Sequence, residues 1–373
     1  MSWKEILSEV KPIMNNKKAL IAMSGGVDSS VAAYLMKKAG YDCLGTTMRL
    51  YRNNDIGLNN FHTCCSQKDI DDASEVAFSL GIPYEVLDFT FDFKEKIIGK
   101  FISTYENGGT PNPCIDCNKY MKFDKLLKFA EEKGMDYIVT GHYAKIEKQE
   151  NGRYFLKKAE DLSKDQSYVL YSLTQEQLKH ILLPLGNMSK SETRKIAEES
   201  GFSNSKKPDS QDICFVPDGD YVKFMENYTG KKYPEGDYMS ADNKVLGRHK
   251  GAVRYTIGQR KGLGIALGEP AFVYKKDMEL NEVFIGKEEL LFKKVLIADE
   301  LNWIAFEEPL KPIRVKAKTR YRQKEQSATV TPLGNKTVKI EFDEPQRAIT
   351  VGQAVVMYDG DIVVGGGTIK EVL

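Results

Sequence analysis

The sequence lacks any long apolar run. Although 41% of its 373 residues are hydrophobic, no stretch approaches the roughly 20 consecutive apolar residues that a membrane-spanning helix needs. Residues 1–18 carry both charge signs and resemble neither a signal peptide nor a transit peptide. These absences predict a cytoplasmic protein with no membrane partner.

Net charge and abundant cysteine are also lacking. The 54 Lys and Arg residues against 53 Asp and Glu leave a charge of +1, which by itself indicates no partner. In a reducing cytoplasm the six cysteines are expected to be thiols, and any that pair are expected to serve catalysis rather than structure. A chain of 373 residues is long for one domain, so two or three are expected.

The Gly-rich motif near the N-terminus lacks the marks of two common phosphate loops. Residues 24–29, Ser-Gly-Gly-Val-Asp-Ser, follow an apolar run, and an amphipathic stretch with Val27, Val31 and Leu35 at helical spacing starts within them. The motif has neither the Lys-Ser/Thr ending of a Walker A loop nor the G-x-G-x-x-G of a dinucleotide site. Strand, glycine turn and helix in this order still direct unpaired backbone N–H groups toward an anion, above all a phosphate.

A carboxylate, Asp28, lies inside this turn. Because a carboxylate repels phosphate oxygens unless a cation intervenes, the motif implies Mg²⁺ as a cofactor. The alternative is an ordinary glycine turn with a Ser/Asp helix cap. The full motif resembles the pyrophosphate loop of ATP pyrophosphatases, enzymes that cut ATP between the α- and β-phosphates and leave an adenylated substrate.

The pattern of predicted strands and helices changes along the chain. Alternating strand-like and helix-like segments predict an α/β domain, a parallel sheet with helices on both faces, over residues 1–207. A small central domain is predicted for residues 208–290, and turn-rich strands predict a C-terminal antiparallel β-barrel over 291–373. Ligands bind at the carboxyl ends of parallel strands, which here are marked by Ser24, Met48, Asp88 and Gly141.

Three cysteines suggest sulfur chemistry. Cys114 and Cys117 form a Cys-x-x-Cys in a Pro-bounded loop, and Cys214 lies in Ser-Gln-Asp-Ile-Cys-Phe. The favoured interpretation is a thiolate acting on an activated substrate, its pKa lowered by nearby lysines and by a helix expected to begin at Met121. Three alternatives stay open: a zinc site, a redox pair and inert thiols. Zinc requires a fourth ligand, for which the sequence offers only Cys64, Cys65 and His62.

Two acid-poor segments carry local positive charge. Strand geometry would place six alternating basic residues on one face; they are Arg314, Lys316, Lys318, Arg320, Arg322 and Lys324. Residues 243–268 contain further basic residues interleaved with Tyr255. Both segments predict an RNA partner, although a charge-guarded edge strand is the alternative for the first.

Together these motifs resemble the tRNA-specific 2-thiouridylases over nearly the whole chain. The resemblance adds Thr-Gly-His-Tyr at 140–143, Lys-Asp-Gln-Ser at 164–167 and Tyr-Thr-Ile-Gly-Gln-Arg-Lys-Gly at 255–262. It implies an enzyme that uses ATP to adenylate the 2-oxygen of the wobble uridine in tRNA and releases pyrophosphate. A persulfide-relay protein would then supply the sulfur that replaces this oxygen.

The resemblance also implies residue roles. Cys214 would carry the incoming sulfur as a persulfide, and Cys117 would be the nucleophile that forms a transient disulfide with it. The implied ATP-binding residues are Ala22, Met23, Ser24, Gly25, Gly26, Val27, Asp28, Ser29, Met48 and Gly141. Those implied for tRNA are Asn112, Pro113 and Cys114 at the target base, with His142, Lys164, Asp165, Gln166, Arg320, Tyr321 and Gln353 elsewhere.

Position 114 departs from the family pattern, because Asp is common there and this chain has Cys. Cys114, Cys117 and Cys214 therefore suggest an alternative, a [4Fe–4S] cluster with one open iron. Rival functions are a 4-thiouridine synthetase, an amide or guanidine synthetase acting on a small metabolite, and an RNA-binding scaffold.

Overall fold

The computed structural model describes residues 17–52, 67–209 and 213–373. It divides into two compact units. The first comprises the chain up to Ile97 together with Cys114–Gly219 and Asp361–Val363, and the second comprises Ile98–Pro113, Asp220–Gly360 and Val364–Leu373. Among the described residues, no helix combines the length and apolar character needed to cross a bilayer.

A parallel sheet forms the centre of the first unit. Its strands and those of an adjoining hairpin are β1 Lys18–Ala22, β2 Asp42–Arg49, β3 Tyr84–Asp88, β4 Tyr137–Val139, β5 Lys145–Lys148, β6 Tyr154–Lys157 and β7 Ile181–Leu182. The described sheet has the order β3-β2-β1-β4-β7, with parallel pairing throughout. The antiparallel hairpin β5–β6 was not expected from the sequence.

Helices cover both faces of this sheet. The helices before the central domain are α1 Val27–Lys38, α2 Gln67–Ser79, α3 Thr90–Phe93, α4 Gly99–Glu106, α5 Pro113–Asp116, α6 Leu126–Glu132, α7 Gln175–Lys179 and α8 Lys190–Glu199, of which α4 belongs to the second unit. Because neighbouring strand residues point to opposite faces, Ile21 packs with Val31 of α1, while Leu20 packs with Leu126 of α6. The predicted α/β architecture is confirmed.

One helix begins earlier than expected. The start predicted at Met121 lies at Pro113, a residue whose fixed φ suits a first helical turn, and a π-helical segment, Cys117–Lys125, joins α5 to α6. Cys117 therefore lies inside the helical stretch rather than ahead of it. A second π-helical segment is Lys94–Ile98, and a 3₁₀ turn is Ser167–Leu170.

The second unit contains a small mixed sheet and a closed barrel. Its further elements are α9 Tyr221–Thr229, β8 Gly236–Met239, β9 Val245–His249, β10 Phe272–Asp277, β11 Glu282–Gly286, β12 Phe292–Trp303, β13 Ile313–Lys318, β14 Gln326–Gly334, β15 Thr337–Arg347, β16 Ala354–Asp359 and β17 Ile362–Val372, with 3₁₀ turns Ala252–Arg254 and Glu288–Leu291. The small sheet has the order β10-β11-β8-β9. The barrel runs β12-β15-β14-β13-β16-β17, and β12 pairs with β17 to close it. Both predicted modules are confirmed.

Helix α9 was missed by the sequence analysis, although its signals are local. The Asp220 carboxylate accepts a hydrogen bond of 2.9 Å from the backbone N–H of Lys223, as an N-cap does. Gly230, with φ of 72°, ends the helix in the left-handed conformation that glycine adopts without strain. A cap and a stop that enclose nine residues in a Gly-rich region were the available signal.

The predicted six-residue basic face is wrong in extent. Strand β13 ends at Lys318, so the three later basic residues follow in a turn rather than on the strand. Arg314 forms an ion pair of 2.6 Å with Asp343, and the ammonium of Lys318 lies 5.2 Å from the centre of the Tyr358 ring. The charge available to a ligand is thus smaller than the sequence pattern indicates.

Candidate functional site

The motif at residues 24–29 joins the carboxyl end of β1 to the start of α1. Gly26 is the N-cap of α1, in extended conformation, and no side chain caps it in the described chain. The first N–H groups of a helix have no partner within the helix, so those of α1 remain available to a ligand. The expected alternative of a Ser/Asp cap is therefore wrong.

Hydroxyl groups hold one carbonyl of the loop inward. Ser29 Oγ and Ser30 Oγ each donate to the Gly26 carbonyl oxygen at 3.0 Å. Ser29 Oγ also accepts the backbone N–H of Ser24 at 3.1 Å. These serines thus hold the loop itself in shape.

Two distant residues hold the second carbonyl. Asn204 Nδ2 and Lys207 Nζ each donate to the Gly25 carbonyl oxygen at 3.0 Å. Lys207 is itself held by Asp69 and Asp72 of α2, both at 2.6 Å. With both carbonyls held by side chains, the loop has a defined shape at the start of α1, where backbone N–H groups can bind an anion. The sequence analysis missed Asn204 and Lys207.

Gly141, which follows β4, lies against the loop. A Cβ added there would come within 2.7 Å of the Asp28 carbonyl carbon, so only glycine permits this approach. Val27 and Met23 are buried, and Ala22 and Met48 are half-buried on neighbouring strands. The structure therefore brings Gly141 to the loop and places Met48 near the carboxyl end of β2.

The Asp28 carboxylate is already neutralised by a cation of the protein. Lys190 Nζ donates to its two oxygens at 2.7 and 2.8 Å, and Tyr143 Oη donates to Oδ1 at 2.9 Å. Burial and the nearby Asp28 charge raise the pKa of the Tyr143 phenol, so it stays a donor. Neither partner of Asp28 was foreseen, since both lie more than 100 residues away in sequence.

The three candidate cysteines lie in the first unit. Cys114 is exposed in the first turn of α5, and Cys117 is half-buried. Cys214 is also half-buried, and its carbonyl accepts a hydrogen bond of 2.7 Å from Tyr51 Oη. Next to it, the ring of Phe215 packs edge-on against Phe93 at 5.6 Å.

The expected thiolate at Cys117 is not favoured in this state. Burial raises the pKa of its thiol to about 11, and the charge of Lys122 opposes this shift without overcoming it. Lys122 does lower the pKa of Cys117, as the sequence predicted, but desolvation raises this pKa by more. Cys64, Cys65 and His62, the suggested additional ligands, lie outside the described residues.

Residues implied for tRNA binding in the first unit mostly brace the fold. His142 is buried, with Nδ1 2.7 Å from Thr140 Oγ1, and burial lowers its imidazole pKa. Asp165 is buried and accepts the N–H groups of Ala159 and Ser167. Their direct contact with tRNA stays a prediction. Gln166 and Lys164 also bond within the protein. Gln166 Oε1 accepts the N–H of Tyr143 at 2.9 Å, and Lys164 Nζ pairs with Asp209 at 2.9 Å.

Of the residues implied for tRNA binding in the second unit, two hydrogen-bond within the protein and one is exposed. Arg320 Nη2 donates to the carbonyls of Ile257 and Ala348 and to Thr350 Oγ1. Gln353 Nε2 donates to the carbonyls of Thr110 and Pro111, which directly precede Asn112. Tyr321, at 39% exposure, is open to solvent.

Family models match three consecutive parts of the chain. A tRNA methyl transferase HUP domain model matches residues 17–218, a tRNA methyl transferase PRC-barrel domain model matches 222–287, and an aminomethyltransferase β-barrel domain model matches 293–369. The first of these alone spans more than half of the 373 residues.

Curated relatives match over nearly their full length. The tRNA-specific 2-thiouridylase MnmA of Clostridioides difficile is 53% identical over 96% of this chain and 99% of its own length. Its counterpart from Clostridium acetobutylicum is 52% identical, over 95% of this chain and 100% of its own length. A solved 4-thiouridine synthetase complex with RNA and ATP is 19% identical, covers 57% of this chain and 50% of its own, and has a TM-score of 0.33, too low to carry an argument. By the identity and coverage of its relatives, this chain belongs to the family of the tRNA-specific 2-thiouridylases.

Proposed function

We propose that this protein is a cytoplasmic enzyme that converts the wobble uridine of tRNA to 2-thiouridine at the expense of ATP. One observation carries the proposal: the start of α1 is uncapped and its loop carbonyls are tied back, in a chain of this family. Such a loop suits the phosphates of ATP. A 4-thiouridine synthetase or a small-metabolite synthetase has no comparable support.

The first step activates the uridine. ATP lies against residues 22–29, with Met48 and Gly141 beside it. The uridine 2-oxygen attacks the α-phosphorus, the bond from the α-phosphorus to the bridging oxygen breaks, and pyrophosphate leaves. Mg²⁺, when bound, would neutralise phosphate charge. The Asp28 carboxylate would supply one ligand once Lys190, now 2.7 and 2.8 Å from its two oxygens, moves away, and phosphates and water would supply the others.

The second step transfers sulfur. A persulfide-relay protein loads Cys214, whose terminal sulfur attacks C2 of the activated uridine and displaces AMP. Cys117, once deprotonated, attacks Cys214 Sγ and breaks the persulfide S–S bond, which leaves 2-thiouridine and a Cys117–Cys214 disulfide. A cellular thiol then returns two electrons to this disulfide. Because burial raises the pKa of Cys117 to about 11, this step requires that substrate binding change the surroundings of the thiol.

The [4Fe–4S] alternative does not fit the described chain. Within residues 17–52, 67–209 and 213–373, no group of three or more His, Cys, Asp and Glu side chains is arranged to hold a metal ion. No step is therefore assigned to a cluster. We propose instead that Cys114, exposed at the first turn of α5, faces the target base together with Asn112 and Pro113.

The reaction is tested on the tRNA product. Full-length protein is incubated with unmodified tRNA, ATP, Mg²⁺ and a persulfide donor, and the nucleosides are then analysed by mass spectrometry. We expect 2-thiouridine and one pyrophosphate per thiolated tRNA. Sulfur at the 4-position, or pyrophosphate release that does not require tRNA, would contradict the proposal. Iron analysis of the same active sample is expected to find none in stoichiometric amount.

The exposed basic residues on and after β13 are expected to bind tRNA phosphates. Replacing Lys316, Arg322 and Lys324 by Met should weaken binding to all tRNAs alike. It should also reduce the slope of log affinity against log salt concentration by about one unit for each phosphate that is no longer bound. The control is Arg314→Met, since Arg314 already pairs with Asp343 at 2.6 Å. Filter binding at several salt concentrations measures both slopes, and an unchanged slope in the triple variant would exclude binding of phosphates by these residues.

A further inference from the structure

One carboxylate, Asp209, holds three cations of the first unit: Lys164, and Lys190 and Arg194 of α8. Its oxygens lie 2.9 Å from Lys164 Nζ, 2.8 Å from Lys190 Nζ and 2.9 Å from Arg194 Nη2. Its side chain is 32% exposed, so these charges interact in a partly desolvated setting. Nothing in the ATP or sulfur chemistry above uses Asp209.

Lys190 connects this cluster to the ATP loop. At the first position of α8, its ammonium lies between Asp28 at 2.7 Å and Asp209 at 2.8 Å, and its side chain is only 11% exposed. Lys164 is 39% exposed and so can be reached by a phosphate from solvent. A continuous chain of ion pairs therefore runs from Lys164 through Asp209 and Lys190 to Asp28.

The Asp209 carboxylate keeps its charge at physiological pH. Burial alone would raise the pKa of Asp209, but hydrogen bonds from Lys190 and Lys164 outweigh it and lower the pKa to about 2. The carboxylate is therefore ionised in any state in which it keeps these partners. The cations around Asp209 can therefore move toward or away from it without any proton transfer.

We propose that Asp209 is a positioning residue that couples tRNA binding at Lys164 to ATP binding at Asp28. When a tRNA phosphate attracts Lys164 away, Asp209 is left with one cation fewer and attracts Lys190 more strongly. Lys190 then keeps its contact with Asp209 and gives up that with Asp28, and Asp28 becomes available to Mg²⁺ that accompanies ATP. Each substrate thereby favours the other. The inference rests on the proposed function, because it needs tRNA and ATP as the two ligands.

Coupling of this kind must be reciprocal. If tRNA tightens ATP binding by some factor, ATP tightens tRNA binding by the same factor. Typical coupling free energies correspond to about 5-fold to 150-fold changes in affinity. We expect at least a fivefold effect here, since the linking contacts are ion pairs shielded in part from solvent.

The experiment measures one affinity with and without the other ligand. The full chain is titrated with α,β-methylene ATP and Mg²⁺ in an isothermal calorimeter, alone and with saturating unmodified transcript of a tRNA that has a wobble uridine. Wild-type protein should bind the nucleotide at least fivefold more tightly with tRNA present. Asp209→Asn should keep binding of each ligand alone within about threefold and lose the enhancement.

Controls separate coupling from folding. Asp361→Asn removes a different carboxylate from an ion pair, 3.2 Å from Lys157, and should keep the enhancement. Should Asp209→Asn fail to fold, Lys164→Met supplies the second test, with weaker tRNA binding and no enhancement at saturating tRNA. Enhancement that persists in the folded variant, or a wild-type protein in which tRNA leaves nucleotide affinity unchanged or weakens it, overturns the inference. Failure of either ligand to bind wild-type protein instead overturns the proposed function.

Discussion

Cys214→Ser and Cys117→Ser are each expected to lower 2-thiouridine formation by at least a thousandfold. A serine oxygen at 214 cannot carry a persulfide sulfur. A serine at 117 leaves the persulfide S–S bond without a nucleophile, because a hydroxyl is far less acidic and less nucleophilic than a thiol. Nucleoside mass spectrometry after a single turnover, with Cys214 loaded beforehand, measures the loss.

Both cysteine variants should keep ATP binding and tRNA-dependent pyrophosphate release, because neither thiol belongs to the loop proposed to bind ATP. Cys43→Ala is the matched control: Cys43 is a buried thiol of β2, and burial raises its pKa to about 11 as well. Its replacement should leave thiolation near the wild-type level. Thiolation that survives in either Ser variant would remove the role proposed for that cysteine.

Gly26→Ala is expected to weaken ATP binding at least tenfold while the protein keeps its stability. Gly26 has φ of −91° and ψ of 163°, which any residue adopts. An added Cβ would meet only Ser24 Oγ, at an ordinary 3.5 Å. Alanine is a poorer N-cap than glycine but loses less conformational entropy on folding, so the free energy of unfolding should change by no more than about 1 kcal/mol. The methyl group would then obstruct only a phosphate at the start of α1.

Gly25→Ala separates this effect from damage to the fold. Gly25 has φ of +70°, and a Cβ there would lie 2.3 Å from the Asp69 carbonyl oxygen, so this variant should lose both stability and ATP binding. Thermal unfolding and ATP calorimetry on the two variants give the comparison. If Gly26→Ala binds ATP as wild type does, phosphates do not approach the start of α1 and the assigned site is incorrect.

Local sequence was sufficient to predict the α/β architecture and the position of the loop. Apolar runs such as that of β1 and helical spacing such as that of α1 are visible within about ten residues, and their alternation indicates a parallel sheet. The edge where ligands bind follows from that topology. The turn-rich segments of the C-terminal region likewise predicted a barrel, whose closure by β12 and β17 is now observed.

Charge patterns were less informative, because sequence does not show what each charge meets. Alternation alone suggested six basic residues on one open face, but Arg320 donates to protein carbonyls and Arg314 to Asp343. The lysines beside Cys117 suggested a lowered thiol pKa, whereas burial raises it to about 11. In each case desolvation or a distant partner outweighs the local pattern.

Residue types and short-range spacing located the loop and predicted its ligand and the thiols proposed to carry sulfur. How the loop is held became visible only in the three-dimensional fold. Asn204 reaches Gly25 across 179 residues, and Lys190 reaches Asp28 across 162. Such contacts depend on how helices pack against the sheet, and packing is a property of the whole fold rather than of any short segment.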